Sequence, residues 1–211
     1  MNVIGIIGAM DEEVSILVDL MDIRETIKKA SLEFYKGILE GKNVVLVKCG
    51  IGKVNSALCA QILISEFKVD AIVNTGVAGA LNEKLDVNDI VISTDAIQYD
   101  VDTTAFGDPK GVIPRMKTSV FKADERLIDA AYKSSVEEVK THKVLKGRVV
   151  TGDKFINSKE LKEELVNDFG GYCGEMEGGA IAHVCYLNNT PFVIIRAMSD
   201  KADGSADRKS T

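Results

Sequence analysis

The sequence contains few residues that could build a metal site or a disulfide framework. It has two histidines, His142 and His183, and four cysteines. Neither histidine has a partner at the spacing of metal ligands, and no two cysteines form a C-x-x-C pair. The cysteines lie inside apolar runs, so we expect small buried side chains in a protein of a reducing compartment. The sequence therefore indicates no metal site.

Basic clusters and long apolar runs are also missing. Lys and Arg total 26 against 32 Asp and Glu, which gives a formal charge of −6 and a pI near 5.1. No basic cluster is present that could release counterions along a nucleic acid. The N-terminal apolar run has no basic segment before it and is interrupted at 11–13 by three acids, so it predicts neither a signal peptide nor a membrane span. We expect a cytoplasmic protein that binds neither nucleic acid nor membrane.

The length and composition fit one globular domain. The 211 residues are 45% hydrophobic and 27% charged, so the chain can form a buried core without disulfides or a structural metal. No internal repeat, linker or low-complexity segment divides the chain, so residues 1–211 are predicted to form a single domain. Apolar strand patterns alternate with helical ones, which indicates an α/β fold with helices on both faces of a sheet.

The apolar pattern also places the individual elements. Strands are predicted at 2–9, 33–39, 43–49, 70–75, 89–93, 144–151 and 192–197. Helices are predicted from about residue 11 and at 54–66, 124–138, 158–167 and 178–187, with loops at 76–81 and 102–120.

Ligands of open α/β sheets collect at the carboxyl ends of the strands, and two glycine turns lie at such ends. The first leads into Asp11, Glu12 and Glu13, three acids that would repel a phosphate. One of them could act as a general base on water, or all three could be solvated acids of a helix N-terminus. The second turn, 74–79, could admit a ligand close to the backbone or be a tight turn.

Two further carboxylate sites follow buried elements. Glu175 and Glu177 precede an apolar helix, where a partly desolvated carboxylate needs partners. A ribose diol could supply them, or the acids could cap the helix. Asp200 follows the most apolar strand, where a neutral carboxylic acid could donate a proton to a leaving group. A turn-forming Ser-Asp pair is the alternative.

Seven segments follow one another in an order that covers essentially the whole chain. They are GIIGAMDEEV (5–14), CGIGKVNSA (49–57), NTGVAGAL (74–81), DTTAFG (102–107), TGDKFI (151–156), EMEGGAIAHVC (175–185) and RAMSDKAD (196–203). In their order and their residues, these segments resemble those of the 5′-methylthioadenosine/S-adenosylhomocysteine nucleosidases, within the purine nucleoside phosphorylase-like superfamily. The resemblance implies a three-layer α/β/α sandwich with a mixed, twisted, partly barrel-like central sheet.

The resemblance also implies an activity. It predicts hydrolysis of the N-glycosidic bond of 5′-methylthioadenosine, S-adenosylhomocysteine and 5′-deoxyadenosine, in methionine salvage and removal of a methyl-cycle by-product. Asp200 would protonate adenine N7, Glu13 would activate water, and Glu177 would hold the ribose hydroxyls. Neither a cofactor nor a metal is implied, whereas a homodimer is.

Supporting roles carry over from the same resemblance. Ser199 and Arg196 would support the acid and the water, and Phe155 would stack on adenine while the backbone of Ile156 reads its edge. Met176 would pack against the sugar. The other implied pocket residues are Met10, Ile51, Val77, Ala78 and Glu175. Three residues, Thr103, Phe106 and Pro114, would reach into the neighbouring subunit to cover the 5′-thio group.

The chain departs from the family pattern at three places. Val77 stands where many members have Ser, so a hydroxyl near the water is absent, and Asp108 stands where an aromatic is frequent. Members continue with a long final helix, whereas this sequence ends at Thr211. We expect a lower melting temperature than for a version that carries the helix, because burial of apolar surface stabilises by about 25 cal/mol per Å².

Two other functions compete with the nucleosidase. A phosphate-dependent phosphorylase of the same superfamily is the nearer rival, although it would need cations where this chain has Asp11, Glu12 and Glu13. A non-catalytic nucleoside-binding protein is the other.

Overall fold

The computed structural model describes residues 2–203, which form a mixed α/β domain. Its strands are β1 (Val3–Gly8), β2 (Asp22–Lys29), β3 (Leu32–Leu39), β4 (Lys42–Lys48), β5 (Ala71–Ala80), β6 (Ile90–Gln98), β7 (Val120–Lys122), β8 (Val144–Thr151), β9 (Gly171–Glu175) and β10 (Phe192–Asp200). Its helices are α1 (Asp11–Leu20), α2 (Lys53–Ser65), α3 (Glu125–Glu138), α4 (Lys159–Phe169) and α5 (Gly178–Asn188), with a 3-10 turn at Thr104–Phe106. The expected absence of a final helix concerns residues outside the described range.

The strands form one sheet that closes on itself over half of its width. The order is β10-β6-β8-β9-β5-β1-β4-β3-β2, and β10 also pairs with β5. Strands β5, β10, β6, β8 and β9 therefore form a closed ring, from which β1, β4, β3 and β2 extend as an open arm. Parallel and antiparallel pairs are mixed, so the predicted fold class is confirmed.

The buried strands follow from their apolar runs. Four consecutive residues of β4, Val44 to Val47, are all buried, because helices or strands cover both faces there. Helix α5 begins with Gly178, Gly179 and Ala180, and these small residues let it lie against α2 and the ring. All four cysteines are free and buried, as the sequence predicts.

Strands β5, β6 and β10 are longer than predicted. Strand β5 continues to Ala80 through most of 76–81, which we expected to be a loop, because its glycines and alanines pair with β10 on one side and β9 on the other. Strand β6 reaches Gln98, and β10 includes Ser199 and Asp200. The prediction of a glycine loop at 76–81 was therefore wrong.

Strands β2, β7 and β9 were not predicted, and of these β7 is a three-residue strand that pairs with β6. Strand β2 is an exposed edge strand with no apolar alternation, and pairing with β3 forms it. Strand β9 has only five residues, two of them glycine, and is held between β8 and β5. Strand β2 is held by β3, which follows it after a two-residue turn, whereas β9 depends on partners distant in sequence, which local propensity does not show. Within residues 2–203, no helix has the length and apolarity that a membrane crossing requires.

Candidate active site

The carboxyl ends of four parallel strands meet at one edge of the sheet. Strands β1, β4, β5 and β10 run in the same direction. Strand β9 runs against β5, with Gly174 opposite Gly79, so its last residue also reaches this edge. The turns after β1 and β9 and the ends of β5 and β10 therefore bring together the carboxylates that the sequence singled out.

Glu13 is fixed between the ends of β1 and β5. Its Oε2 accepts hydrogen bonds from the backbone N–H groups of Ala9 (2.6 Å) and Met10 (3.1 Å), and its Oε1 accepts one from Val77 (2.9 Å). The carboxylate lies directly over Gly76, where an added Cβ would come 2.3 Å from Oε1. The three N–H donors thus hold Glu13 in one position, and Gly76 leaves room for its carboxylate because it has no side chain.

Glu175 is the centre of a buried network rather than a free carboxylate. Its Oε2 accepts from the N–H groups of Glu177 (3.1 Å) and Gly178 (2.7 Å) at the start of α5, and from Nη2 of Arg196 (2.5 Å). Its Oε1 accepts a short hydrogen bond from the Thr151 hydroxyl. Protein donors therefore occupy both oxygens of Glu175.

Arg196 is the buried cation of the site, with 1% of its surface exposed. Its Nη2 also donates to Oδ1 of Asn74 (2.6 Å), while Nε has no hydrogen-bond partner within residues 2–203. Burial by itself lowers the pKa of Arg196, but Glu175, Glu177 and Glu13 outweigh it and raise the pKa overall. The guanidinium therefore stays charged among three carboxylates.

Glu177 is a buried carboxylate with a raised pKa. Its Oε1 accepts a hydrogen bond from the Gly52 N–H (2.8 Å), and the residue is only 7% exposed. Burial, and then the negative charge of Glu175, raise its pKa to about 7, against the opposing effects of the Gly52 N–H and Arg196. Near neutral pH this side chain can therefore gain or lose a proton.

Asp200 lies in a small cavity together with the predicted adenine residues. Its Oδ2 accepts from the Ser199 hydroxyl (2.8 Å) and its Oδ1 from the Ala202 N–H (2.7 Å). The Ser199 hydroxyl also lies 3.3 Å from the carbonyl oxygen of Ala78. The cavity has a volume of about 30 Å³ and is lined by Gly79, Lys154, Phe155, Ile156, Gly174, Glu175, Met176 and Asp200. Glu13 and Glu177 do not line it.

Met10 and Ile51 lie on the other side of the carboxylates. They line an open depression of about 530 Å³ at the ends of β1 and β4. Thr103, Phe106 and Pro114 lie in the segment between β6 and β7, where Phe106 is 88% exposed. Thr103 donates a hydrogen bond to Asp108 (3.2 Å).

Two buried polar residues, Asn74 and Thr151, were not among the predicted site residues. Asn74 holds Arg196 and donates to the Ile7 carbonyl oxygen (3.0 Å), while Thr151 holds Glu175 and accepts from the Gly179 N–H (2.7 Å). Each is a polar residue that ends an otherwise apolar buried stretch of strand, which is the signal that could have identified them. Within residues 2–203, no group of three or more histidines, cysteines and acids is arranged to hold a metal.

The chain matches known proteins over nearly its whole length. The family model described as the phosphorylase superfamily matches residues 3–211. A 5′-methylthioadenosine/S-adenosylhomocysteine nucleosidase of Staphylococcus aureus (strain JH9) is 45% identical over 205 residues, which are 97% of this chain and 89% of that protein. The chain belongs to the 5′-methylthioadenosine/S-adenosylhomocysteine nucleosidase family.

Solved structures agree with this assignment. The nucleosidase from Neisseria meningitidis in complex with methylthio-immucillin-A superimposes with a TM-score of 0.93 at 40% identity, covering 98% of this chain and 89% of that chain. The nucleosidase from Colwellia psychrerythraea 34H in complex with adenine gives a TM-score of 0.92 at 40% identity, with coverages of 99% and 86%. The resemblance found in the sequence is thereby confirmed for this nucleosidase family member.

The raised pKa of Glu177 predicts a pH-dependent stability. In the unfolded chain a glutamate titrates near 4.5, whereas folded Glu177 titrates near 7. The folded state therefore binds more protons between these values, and stability falls as pH rises through this window. Each unit of raised pKa corresponds to about 1.4 kcal/mol. We expect Glu177→Gln, which keeps an acceptor for the Gly52 N–H, to raise Tm by several degrees at pH 8.

The comparison that checks this is the Tm difference between variant and wild type at pH 8 and at pH 4.5. The difference should shrink at pH 4.5, where folded Glu177 is already neutral. The matched control is Glu137→Gln on the exposed face of α3, which should show the same small difference at both pH values. A Glu177→Gln effect that did not change with pH would contradict the raised pKa.

Proposed function

We propose that this protein hydrolyses the N-glycosidic bond of 5′-methylthioadenosine and S-adenosylhomocysteine, and also of 5′-deoxyadenosine, to release adenine. The observation that carries the proposal is that Glu13 lies over Gly76 and Asp200 lies beside Gly79 on the same strand, while Glu177 accepts a hydrogen bond from the Gly52 N–H. Relatives named for this activity, one of them solved with adenine, support the substrate class.

Asp200 acts at the purine. Adenine is a poor leaving group as an anion, so protonation at N7 assists its departure, and general acid catalysis contributes about 10²–10⁴-fold. The Ser199 hydroxyl and the Ala202 N–H orient the carboxyl group. The cavity of about 30 Å³ is smaller than a purine. Phe155, which is 53% exposed, moves aside to admit the ring and then stacks on it.

Glu177 acts at the ribose. The 2′ and 3′ hydroxyls donate to its carboxylate, and these hydrogen bonds favour the ionised form that burial disfavours. As the glycosidic bond breaks, the sugar gains positive charge, which the anion stabilises in a site of low dielectric. The Gly52 N–H keeps the carboxylate oriented toward the sugar. Met176, which follows Glu175 into α5, packs against the same ring.

Glu13 acts on the attacking water. It removes a proton while the water oxygen bonds to the anomeric carbon, and adenine leaves with the electrons of the glycosidic bond. Val77 contributes its backbone N–H to Glu13 but has no hydroxyl for the water. Instead, the Nε of Arg196, which has no hydrogen-bond partner within residues 2–203, donates a hydrogen bond to the attacking water. Arg196 interacts electrostatically with Glu13 and Glu177. Glu175 and Asn74 keep the guanidinium in place.

Local charge favours water over phosphate as the nucleophile. The turn after β1 carries Asp11, Glu12 and Glu13. Lys48 is already paired with Asp11 at 2.7 Å, and Arg196 is surrounded by three carboxylates. A phosphate dianion would meet net negative charge here. Hydrolysis is therefore preferred to the phosphorolysis that other members of the superfamily perform.

The decisive experiment follows free adenine released from 5′-methylthioadenosine with and without inorganic phosphate. We expect the same rate in both conditions, with methylthioribose as the product. Release that requires phosphate would make the protein a phosphorylase. If adenine nucleosides raised Tm but no adenine appeared, the protein would be a nucleoside-binding protein, and the proposal would fail.

The contact between Gly76 and Glu13 gives a second prediction. In Gly76→Ala the new Cβ would come 2.3 Å from Oε1, so the carboxylate has to leave the Val77 N–H. A displacement of about 1 Å at a catalytic group can cost about 10²-fold in rate, and we expect a loss of this order in kcat. The matched control is Gly41→Ala in the β3–β4 turn, where the new Cβ has open space.

Gly41→Ala should lower Tm slightly, because its φ is +72°, while kcat stays unchanged. Steady-state kinetics and thermal unfolding of both variants make the comparison. Wild-type kcat in a folded Gly76→Ala protein would show that the position of Glu13 is not required.

The proposal includes a homodimer in the cytoplasm, acting in methionine salvage. Helix α2 exposes Val54 (79%) and Leu58 (46%), one helical turn apart. The Lys53 ammonium bonds to Asp100 (2.7 Å), which ties this end of α2 to the segment carrying Phe106. These exposed apolar side chains therefore lie on one side of the molecule, where a second copy can cover them and where Phe106 can reach the partner's 5′ pocket.

Sedimentation velocity tests the dimer. The double variant Val54→Asp/Leu58→Asp should sediment as a monomer, since burying two carboxylates at an interface is costly. The control, Ile16→Asp/Leu20→Asp on the outer face of α1, alters a similarly exposed apolar pair and should remain dimeric. A monomeric wild type, or an α2 variant that stays dimeric, would contradict this interface.

A further inference from the structure

We propose that Lys48 and Asp11 form a subsite for the zwitterionic amino-acid tail of S-adenosylhomocysteine, and so set the preference between charged and uncharged 5′ substituents. This inference rests on the proposed function and refines its substrate specificity. It assigns to an ion pair outside the catalytic machinery the recognition of one of the two substrates.

The position of the pair follows from the strand ends. Lys48 is the last residue of β4 and pairs in register with Gly8, the last residue of β1, while Asp11 is the first residue of α1. The open depression of about 530 Å³ is lined by Lys48 and Asp11 together with Met10 and Ile51. Met10 donates its own N–H to Glu13, and Ile51 precedes the Gly52 N–H that holds Glu177. The depression thus begins where the sugar is placed.

The purine end of the site fixes the direction of the substrate. Asp200 and Ile156 lie in the cavity beyond Glu175, so adenine lies on that side and the 5′ carbon points away from it. A 5′ substituent therefore passes Met10 and Ile51 and reaches the Lys48–Asp11 pair. A second depression, of about 690 Å³, shares Asp11, Lys48 and Gly50 with the first and provides further room.

The chemistry of the tail matches the pair. Homocysteine joins the 5′ carbon through sulfur, and three bonds beyond the sulfur it carries one ammonium and one carboxylate. Lys48 offers an ammonium to the tail's carboxylate, while Asp11 offers a carboxylate to the tail's ammonium, with Glu12 as a second anion in the same depression. Binding breaks the Lys48–Asp11 pair and forms two new pairs, Lys48 with the tail's carboxylate and Asp11 with the tail's ammonium. No charge is left unpaired.

Opening the existing pair costs little. The Lys48 Nζ lies 2.7 Å and 2.8 Å from the two Asp11 oxygens, but the side chains are 45% and 77% exposed. Exposed pairs of this kind contribute about 0–1 kcal/mol. The uncharged methylthio group of 5′-methylthioadenosine leaves the pair intact, so this substrate needs neither residue. One chain can thereby accept both substrates.

The test compares three substrates with Lys48→Met. 5′-Methylthioadenosine has a short neutral tail, 5′-butylthioadenosine a longer neutral tail, and S-adenosylhomocysteine a charged one. We expect kcat/KM for S-adenosylhomocysteine to fall about fivefold through KM, at the upper end of what an exposed ion pair contributes. The two neutral substrates should change less than about twofold, within the value of an exposed ion pair.

Matched controls separate recognition from folding. Lys42→Met removes the same side chain at the opposite end of β4 and should leave all three substrates unchanged. Lys48→Glu reverses the charge and should weaken S-adenosylhomocysteine further than Lys48→Met does. Added salt should reduce the wild-type preference for the charged tail over the butylthio tail, since exposed charges are screened within about 10 Å at 0.1 M.

Two results would overturn the subsite: unchanged kcat/KM for S-adenosylhomocysteine in Lys48→Met, or an equal fall for all three substrates. The proposed function fails by a different result, namely that the wild type releases no adenine from any of them. In that case calorimetric titration of intact S-adenosylhomocysteine into wild type and Lys48→Met still decides the subsite, because a loss of affinity confined to the variant supports it and equal affinity overturns it.

Discussion

The buried ion pair between Arg196 and Glu175 is the interaction on which the rest of the site depends. One continuous set of hydrogen bonds runs from Gly179 through Thr151, Glu175, Arg196 and Asn74 to Ile7. It joins α5 to the strands β8, β9, β10, β5 and β1. Removing one partner of such a pair leaves an uncompensated buried charge, which costs about 3–5 kcal/mol. The same contacts therefore hold the barrel together and position the carboxylates that we propose to be catalytic.

The charge balance of this cluster explains why it can do chemistry. A single guanidinium faces Glu13, Glu175 and Glu177, and only Glu175 accepts a direct hydrogen bond from it. Backbone N–H groups satisfy Glu13, whereas Glu177 has one donor and a pKa raised to about 7. The surplus negative charge destabilises the free protein, and in the proposed reaction it is compensated when the sugar becomes cationic. Stability is thus exchanged for stabilisation of the transition state.

The sequence predicted much of the fold and the family, but not the contacts that build the candidate site. The first strand, the β3–β4 hairpin and the five helices follow from local apolar patterns. The motifs around Glu13, Glu177 and Asp200 predict the family, which the comparisons confirm. The bond from the Val77 N–H to Glu13 spans 64 residues, and no local pattern contains it. The same holds for β9, whose five residues form a strand only between β8 and β5.

The error at 76–81 shows how barrel closure and catalysis are linked. A glycine-rich stretch reads as a loop because glycine weakens an isolated strand. Here β10 and β9 pair with it on both sides, and side chains are absent where Glu13 crosses Gly76 and where Asp200 faces Gly79. A loop would leave the Val77 N–H free to move, whereas a paired strand fixes it. Closing the ring through β5 therefore holds both the proposed base and the proposed acid against one rigid backbone, and at Gly76 an added Cβ would collide with the Glu13 carboxylate.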